Sequence, residues 1–343
     1  MQIMLGQSQP IKALRALLQR YADCDVQVLI EGETGTGKEV AARELHYASL
    51  RKAHPFVPVN CGAIPDSLIE SELFGHGRGA FTDAKTAQPG LVDHARGGTL
   101  FLDEVDALSL KGQVTLLRFL QDNEYRPVGG GSIRISDARI IAATNSNLAQ
   151  QVEAGRFRRD LHYRLNALHL RVPPLRAREG DVLLLAEHFL RAAALRLHGP
   201  FKHWGDAAMQ ALNAYAWPGN VRELDNIALR AYMSTEAQVI ALADLADADP
   251  VFLGDPRQVP RRRRNEPELS FSAAKARAIR QFEREYFSLL MQRTGGNVSA
   301  AARLCGAERR QLGKLLQRCG IDPRLFRPQD VGRVDSNPTV GPG

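Results

Sequence analysis

The sequence contains little cysteine, and its cysteines are scattered. The four in the chain are Cys24, Cys61, Cys305 and Cys319, and no two of them form a Cys-x-x-Cys pair. Structural zinc sites and disulfide-rich scaffolds need closely or regularly spaced cysteines. We therefore expect neither a cysteine-based metal site nor a disulfide framework, and we expect reduced thiols in a cytoplasmic protein.

The sequence also lacks long apolar runs. No stretch approaches the roughly 20 consecutive apolar residues that a membrane-spanning helix needs. The N-terminal segment MQIMLGQSQP has neither the charged start nor the apolar centre of a secretory signal. With 343 residues, 44% of them hydrophobic and 24% charged, the composition is typical of a globular protein of two or three domains without a membrane partner.

Positive charge is concentrated near the C-terminus. Residues 261–327 contain 16 Lys and Arg but only 6 Asp and Glu, whereas the formal net charge of the whole chain is +7. A near-neutral body with a strongly basic end indicates that this end binds a polyanion such as nucleic acid. The alternative is a solvated basic tail.

Residues 26–45 contain the strongest motif in the chain. The apolar run VQVLI predicts a buried strand, and VAARELHY has the apolar spacing of a helix. The loop between them, EGETGTGKE, fits the G-x-x-x-x-G-K pattern of a phosphate-binding loop. Glycines let backbone N–H groups approach phosphate oxygens, and the following helix directs its positive end to the same place. The predicted nucleotide-binding residues of this loop are Gly32, Glu33, Thr34, Gly35, Thr36, Gly37, Lys38 and Glu39.

The loop departs from the usual pattern at Glu39, where a Ser or Thr hydroxyl normally contacts Mg²⁺. Two acids at the end of the apolar strand Thr99–Glu104 are candidates for the metal chemistry. We expect Asp103 to hold Mg²⁺, directly or through water, and Glu104, which shares this metal site, to polarise the attacking water. The alternative for the loop is a glycine-rich turn that binds no ligand, and the alternative for the two acids is a solvated strand end.

Two further apolar runs predict strands, at Phe56–Asn60 and Arg139–Asn145. The second run places Asn145 where it can sense the γ-phosphate or hold water. Strands that alternate with helices predict an α/β layered domain with a mostly parallel sheet and a ligand at the carboxyl ends of the strands. An amphipathic helix is predicted before the first strand, at Pro10–Tyr21.

A glycine-rich insertion precedes the acidic strand and contains ESELFGH followed by GAFTDA. An aromatic residue in such a polar loop indicates contact with a macromolecule, and the alternative is that Phe81 folds into the core. The segment resembles the signature of the bacterial enhancer-binding proteins, AAA+ activators of sigma-54 RNA polymerase, whose hexapeptide is GAFTGA. Asp83 replaces the second glycine and adds a negative charge. The resemblance implies a loop that contacts sigma-54 through Gly79, Ala80, Phe81, Thr82, Asp83 and Ala84.

The resemblance extends through nearly the whole chain and implies roles for other residues. GETGTGKE, with Glu in the final position, is usual in the family. Asn60 is similar to a switch asparagine that holds the catalytic Glu104 until ATP is sensed. Asp103 and Glu104 resemble the Walker B pair, and Asn145 resembles sensor I.

Two later segments imply contacts with ATP from the lid and from a neighbour. GRFRRDLHYRLN resembles the arginine-finger segment, in which Arg158 and Arg164 would act on the ATP of the next subunit. WPGNVRELDN resembles the sensor II segment, in which Arg222 would reach the γ-phosphate from a helical lid. In the same segment, Asn220 can cap a helix that begins at Val221. The resemblance therefore implies a hexameric ring, with dimers as a route to it, and ATP and Mg²⁺ as cofactors.

The basic end has the pattern of a helix-turn-helix. Asn297 can cap a helix over Val298–Leu304, a glycine turn follows, and Glu308–Arg318 predicts a second helix. This part resembles the Fis-type DNA-binding domain, although Gly313 stands where the family more often has an aromatic residue. The alternative is an α-hairpin with a solvated basic face. The predicted DNA-binding residues are Asn297, Arg309, Arg310, Gln311, Lys314 and Arg318.

The predicted architecture is an α/β AAA+ P-loop NTPase with a parallel sheet and a helical lid, followed by a small all-α helix-turn-helix domain. The predicted division is an α/β subdomain at 1–173, a lid at 174–245, a linker at 246–271, a helix-turn-helix domain at 272–325 and a disordered tail at 326–343. No sensor domain is expected before the ATPase, so a regulatory protein acting in trans, or the expression level, would set the activity.

The predicted function is ATP-driven remodelling of sigma-54 RNA polymerase holoenzyme by a ring bound to upstream enhancer DNA. Two alternatives remain open. One is a DNA-binding regulator whose ATPase no longer engages sigma-54, with Asp83 as the sign. The other is an AAA+ protein that remodels a different partner and uses DNA as an anchor.

Overall fold

The computed structural model describes residues 4–80, 84, 86–252, 283, 286–288, 290–306, 308–318 and 320–326. The chain divides into two compact units, Met1–Arg261 and Arg262–Gly343, and each is described by itself. None of the helices within the described ranges has the length and apolar character that crossing a lipid bilayer requires.

The first unit is built on a parallel sheet. Its strands, in chain order, are β1 (Val28–Glu31), β2 (Phe56–Asn60), β3 (Thr99–Asp103), β4 (Glu124–Tyr125), β5 (Arg134–Ile135), β6 (Arg139–Thr144), β7 (Leu168–Arg171), β8 (His203–Trp204) and β9 (Val239–Ile240). The main sheet has the order β2-β3-β6-β1-β7, with all neighbours parallel. Strand β6 is buried along its whole length, as expected for a central strand covered on both faces. The predicted α/β class is confirmed, but β7 was not predicted.

Helices cover both faces of this sheet. In chain order the helices of the first unit are α1 (Gln9–Ala22), α2 (Lys38–Ala48), α3 (Ile69–Phe74), α4 (Leu91–His94), α5 (Leu110–Asp122), α6 (Leu148–Glu153), α7 (Arg159–Leu165), α8 (Asp181–Arg196), α9 (Asp206–Ala214), α10 (Asn220–Ser234) and α11 (Leu242–Ala248). Helices α1 and α2 pack with Ile141 on one face, whereas helices α3 and α5–α7 pack with Ile140 on the other. Alternate residues of each strand therefore enter different cores.

The helical lid consists of α8–α11 and the short parallel pair β8–β9. Its core surrounds the fully buried Trp217, whose indole N–H donates to the carbonyl oxygen of Leu212 at 2.9 Å. Phe252 packs against Tyr215 and Trp217 in the same core. The packing of the lid thus continues beyond the predicted boundary at 245, because helix α11 occupies the start of the predicted linker. The other predicted domain boundaries stay predictions.

The second unit contains a helix-turn-helix. Residues 286–288 and 290–293 are helical, and they are followed by α12 (Val298–Cys305) and α13 (Arg309–Arg318). Gly306 lies between the two helices with φ of +67°, where glycine is favoured. Much of the helix predicted over Ser272–Gln292, most of the predicted linker and the tail from 327 lie outside the described residues.

Candidate nucleotide-binding and DNA-binding sites

The phosphate-binding loop connects β1 to α2, as predicted. Gly35 and Gly37 have φ values of +78° and +98°, which favour glycine. A Cβ on Gly35 would lie 2.3 Å from the carbonyl oxygen of Gly219, so the lid approaches the loop backbone at this point. Lys38 begins α2 with 8% of its surface exposed, and its Nζ donates to the carbonyl oxygens of Gly32 at 2.9 Å and Glu33 at 3.3 Å.

Acidic side chains affect the titration of the Lys38 ammonium group. Burial lowers the pKa of Lys38, and the carboxylates of Asp103, Asp106 and Glu104 oppose this effect. Burial also raises the pKa of Asp103. Although no group of three or more His, Cys, Asp or Glu in the described part of the chain could hold a metal by itself, Mg²⁺ usually takes only one or two carboxylates and completes its shell with phosphates and water.

Glu104 follows β3 in a strained conformation. Its φ of +55° and ψ of +45° lie in the left-handed region, which costs a non-glycine residue about 1–3 kcal/mol and is common at functional sites. Gly62 lies between Glu104 and Asn60, because a Cβ there would be 3.0 Å from Glu104 Oε2 and 3.3 Å from Asn60 Oδ1. Asn60 Oδ1 accepts from the N–H of Gly62 at 2.8 Å. The implied Asn60–Glu104 hydrogen bond does not occur among the described contacts, and the switch role stays a prediction.

Asp106, which sequence reasoning did not single out, connects the acidic strand to the segment around Asn145, the predicted sensor I residue. The hydroxyls of Thr144 and Ser146 each donate to its carboxylate at 2.6 Å. Asn145 lies between these two residues at the end of β6, is exposed, and accepts from Ser146 Oγ at 3.2 Å. Asp106 therefore helps to fix the backbone on both sides of Asn145. The only available signal was a third acid in the sequence LDEVD.

Helix α10 of the lid contacts the phosphate loop through backbone and side-chain groups. The N–H groups of Val221 and Arg222 donate to the carbonyl oxygen of Gly35 at 3.0 and 3.2 Å. The prediction that Asn220 caps its helix is wrong, because Asn220 is the first residue of α10 with φ of +55° and Gly219 holds the cap position. Its side chain instead accepts from the N–H of Leu175 at 2.8 Å and donates to the carbonyl oxygen of Thr34 at 3.1 Å.

Two arginines at the start of the lid also contact this loop, and sequence reasoning missed both. Arg176 forms a bidentate ion pair with Glu33 at 2.6 and 2.7 Å. Arg178 is buried and donates to the carbonyl oxygens of Thr36 at 2.8 Å and Pro173 at 3.0 Å. Burial lowers its pKa to about 10. In the sequence, the two arginines of LRAREG belong to no motif that would predict a contact with the phosphate loop.

A cavity of about 380 Å³ lies beside the loop. Lys38, Asp103 and the exposed Arg222 give it a charged part. Its apolar lining consists of Met4, Leu5, Val40, Leu185, Phe189 and Val221. A charged part and an apolar part side by side match a ligand with both a polyphosphate and an aromatic base. The structure therefore brings the phosphate loop, the end of β3 and the start of α10 together at one cavity.

The outer surface of α13 carries most of the predicted DNA-binding residues. Arg309, Arg310, Gln311 and Lys314 are exposed. Arg318 is exposed as well, but its guanidinium is already paired with the carboxylate of Glu283, at 2.7 and 2.8 Å. Asn297 uses its Oδ1 to accept from the N–H groups at the start of α12, both at 3.1 Å, so its predicted cap is present. The basic surface of one helix is thus available to a polyanion.

Known protein families match these parts in the same order. Residues 4–171 match the Sigma-54 interaction domain, residues 176–249 match the AAA+ ATPase lid domain, and residues 278–318 match the Fis family of bacterial regulatory proteins. The response regulator protein PilR of Pseudomonas aeruginosa is 42% identical over 319 residues, which cover 93% of this chain and 70% of PilR. The chain belongs to the bacterial enhancer-binding protein family.

Two further comparisons show how much of each relative this chain covers. The transcriptional regulatory protein GlrR of Escherichia coli K12 is 43% identical to this enhancer-binding protein over 307 residues, which cover 89% of this chain and 65% of GlrR. The chain therefore spans about two thirds of the length of such relatives. The crystal structure of NtrX from Brucella abortus in complex with ADP has a TM-score of 0.69 and 33% identity, and the match covers 94% of this chain and 70% of NtrX.

The predicted finger arginines of this enhancer-binding protein lie away from its own cavity. Arg158 is exposed and pairs with Asp160 at 2.7 Å. Arg164 donates to the carbonyl oxygens of Leu120 at 2.8 Å and Gln121 at 2.7 Å, in the last turn of α5. Neither arginine lines the nucleotide cavity. Their action on a neighbouring subunit stays a prediction.

The predicted sigma-54 loop has a well-defined stem, but Phe81, Thr82 and Asp83 lie outside the described residues. His76 and Gln88 exchange backbone hydrogen bonds at 3.0 and 2.9 Å, and the N–H of Gly79 donates to the carbonyl oxygen of Ala84 at 2.8 Å. The connection between β4 and β5 packs beside this stem, since a Cβ on Gly129 would lie 2.5 Å from the Cβ of Ala80. Sequence reasoning did not predict this second hairpin.

Proposed function

We propose that this chain is a Mg²⁺-dependent ATPase that remodels sigma-54 RNA polymerase holoenzyme while its second unit binds enhancer DNA. Family membership supports the proposal. The observation that carries it is the convergence of Lys38, Asp103 and Arg222 on one cavity from three different elements. NtrX, which shares the fold, has been crystallised in complexes with ADP and with ATP.

Lys38 and the loop glycines have the arrangement that polyphosphate binding needs. The ammonium of Lys38 donates to two carbonyl oxygens of its own loop, and phosphate oxygens would replace these acceptors. Asp103 would hold Mg²⁺, which neutralises charge on the phosphates when bound. Glu104 would accept a proton from the attacking water as general base, and Asn145 would orient that water.

Arg222 would report the state of the phosphates to the lid. Its own N–H and that of Val221 contact Gly35, so a shift of the loop reaches α10 through backbone hydrogen bonds. Arg158 and Arg164 would complete the site of a neighbouring subunit, because they lie outside their own cavity. Such a division of one site between two chains requires an oligomer, and every site is complete only when the oligomer closes into a ring. We propose that this ring is a hexamer, which can form through dimers.

The loop from Gly79 to Ala84 is the proposed contact with sigma-54, with Phe81 and Thr82 as its apolar and polar contacts. The hydrogen bonds of the stem and the contact between Gly129 and Ala80 would support the base of this loop. On DNA, the exposed residues of α13 would contact phosphates and base edges in the major groove. We also propose that a regulatory protein acting in trans sets the activity.

An in vitro transcription assay with sigma-54 holoenzyme, scored with and without ATP, tests the proposal. The purified chain should produce open complexes only with hydrolysable ATP. Glu104→Gln should keep ATP binding but lose turnover and transcription. Phe81→Ala should retain ATPase activity yet lose transcription, which separates the contact with polymerase from the chemistry.

The assay also separates the alternatives. ATP hydrolysis without open complexes at any sigma-54 promoter tested would favour a DNA-binding regulator whose loop no longer engages sigma-54. The observation behind that alternative is Asp83, which places a carboxylate in the proposed contact. Reversal by Asp83→Gly would assign the loss to that residue.

A further inference from the structure

The segment Met4–Ser8, which we call the strap, precedes α1 and forms part of the nucleotide cavity. Met4 and Leu5 contribute to the apolar lining. The N–H of Met4 donates to the carboxylate of Glu44 on α2 at 2.9 Å, and the Arg15 guanidinium donates to the carbonyl oxygen of Met4. The start of the strap is therefore fixed to the α/β part of the unit.

The end of the strap is fixed to the lid by one buried carboxylate. Asp181, the first residue of α8, has 0% of its surface exposed. Its Oδ1 accepts from the N–H groups of Gln7 at 2.6 Å and Ser8 at 3.0 Å, and its Oδ2 accepts from the Ser8 hydroxyl at 2.6 Å. A buried carboxylate is tolerated only when its oxygens are hydrogen-bonded in this way.

Two features show that this contact shapes the strap itself. Ser8 precedes α1, but its hydroxyl makes no capping bond to that helix and is used on Asp181 instead. Gly6 has φ of +147°, and a Cβ there would lie 2.4 Å from Asp181 Oδ2. The close approach of strap and carboxylate therefore requires glycine at this position.

The same short segment of the lid reaches the phosphate loop. Arg178, one turn before Asp181, donates to the carbonyl oxygen of Thr36. Residues 178–181 thus contact the phosphate loop through the arginine and the strap through the aspartate. The apolar lining that the strap completes suits the base of a nucleotide, whereas the phosphates need the charged part of the cavity.

We propose that Asp181 is a positioning residue that holds Met4 and Leu5 as a wall for the nucleotide base and couples this wall to the lid. The inference rests on the proposed ATP binding and deepens it. Because Met4 is held by the α/β part whereas Gln7 and Ser8 are held by the lid, a movement of the lid changes the shape of this wall, so recognition of the base depends on the position of the lid. Asp181 itself touches neither base nor phosphate.

Binding measurements on the full chain test this inference. The variants are Ser8→Ala and Gly6→Ala on the strap and Asp181→Asn on the lid. Asp206→Asn is the matched control, because Asp206 also begins a lid helix but is exposed. The probes are ATP, ADP and tripolyphosphate, which carries the phosphates without a base, and the values of KM and kcat are measured in parallel.

We expect Ser8→Ala and Asp181→Asn to weaken ATP and ADP binding by about tenfold, the effect of one lost hydrogen bond to a charged group. Gly6→Ala should weaken both as well, because its methyl group would clash with Asp181 Oδ2. KM should rise in proportion, while kcat and the affinity for tripolyphosphate stay unchanged, as should all values for Asp206→Asn. An equal loss of tripolyphosphate affinity in folded Ser8→Ala would overturn the inference, because the substitution would then act on the whole site and not on recognition of the base.

Ser8→Ala decides the question even where Asp181→Asn does not fold, because it removes one hydrogen bond and leaves the carboxylate in place. Unchanged ATP affinity in both Ser8→Ala and Gly6→Ala would overturn this inference alone. Absence of ATP binding by the unmodified chain would overturn the proposed function and this inference with it. The two failures are therefore distinguishable.

Discussion

The nucleotide cavity and the helix α13 present positive charge in opposite ways. In the cavity, Lys38 and Arg178 are buried and donate to backbone carbonyl oxygens of the same unit. On α13, Arg310 and Lys314 are exposed to solvent. Lys38 and Arg178 are thus placed by the fold before any ligand arrives, whereas the cations of α13 acquire their geometry from the partner.

This difference predicts two kinds of response to substitution. A buried cation acts at one point in a medium where charges are weakly screened, so its removal affects the whole site. Exposed cations on a helix act on a polyanion through their number, and each contributes an increment that depends on salt. Arg158 and Arg164 form an instructive exception, because they are exposed yet are proposed to act at a single point on a neighbouring subunit.

The largest effect on ATP turnover is expected from Arg164→Ala, which tests whether an exposed cation can act at a single point. Loss of a finger arginine should lower ATP turnover by about 10³–10⁵-fold, because charge on the transferred phosphoryl group is no longer stabilised. ATP binding should be retained, since Arg164 does not line the cavity of its own chain. Steady-state hydrolysis and equilibrium binding, measured on the same preparation, check both parts.

Arg159→Ala is the matched control for this experiment, because Arg159 is exposed on the same helix and is not a predicted finger. Arg164 also caps the last turn of α5, and its loss there should cost about 1 kcal/mol of stability at most. A small fall in the unfolding temperature is therefore compatible with the finger role. Turnover as high as that of the Arg159 variant would contradict it.

The parts of the site that could be predicted from the sequence are local. The phosphate loop and the acidic end of β3 each lie within one strand and its following turn, so residue type and spacing sufficed. The contacts that complete the cavity join residues far apart in the chain. Asp181 meets Ser8, and Asn220 meets Thr34, across the interface between lid and α/β part. No periodicity predicts such pairs.

Asn220 shows why local reasoning failed. Its position before a helical segment predicted a cap, yet the residue takes a left-handed conformation inside the first turn and directs its amide to the phosphate loop. Similarly, we predicted a linker from residue 246, a segment rich in Asp, Ala, Pro and Arg, but α11 and Phe252 at its start bury apolar surface against the lid. In both cases tertiary packing overrode the local preference.

A moderate effect on DNA binding is expected from substitutions of the exposed cations of α13, and it measures the increment that each cation contributes. Arg310→Ala should weaken binding to a non-specific duplex by about tenfold and lower the slope of log affinity against log salt by about 1. Arg318→Ala should have a smaller effect, since its guanidinium already pairs with Glu283. Fluorescence anisotropy over a series of salt concentrations measures both quantities.

Glu283→Gln is the companion variant for this measurement. It frees Arg318 and removes a negative charge, so it should strengthen binding and raise the salt slope. An Arg318→Ala effect equal to that of Arg310→Ala would show that the ion pair opens without cost on DNA. Unchanged slopes in every variant would mean that α13 does not face the phosphates.

The smallest effect is expected from replacing glycine by alanine, which should stabilise the fold in α13 and destabilise it in the phosphate loop. Gly313 lies inside α13, and a Cβ there would meet nothing within 4 Å, so Gly313→Ala should stabilise the helix by about 1 kcal/mol. Amide hydrogen exchange of α13 in the full chain measures this gain as slower exchange. Gly35→Ala should do the opposite, because φ is +78° and the methyl group would lie 2.3 Å from the carbonyl oxygen of Gly219. Faster exchange in α13 after Gly313→Ala would show that this glycine fills a structural need that the open space around it does not reveal.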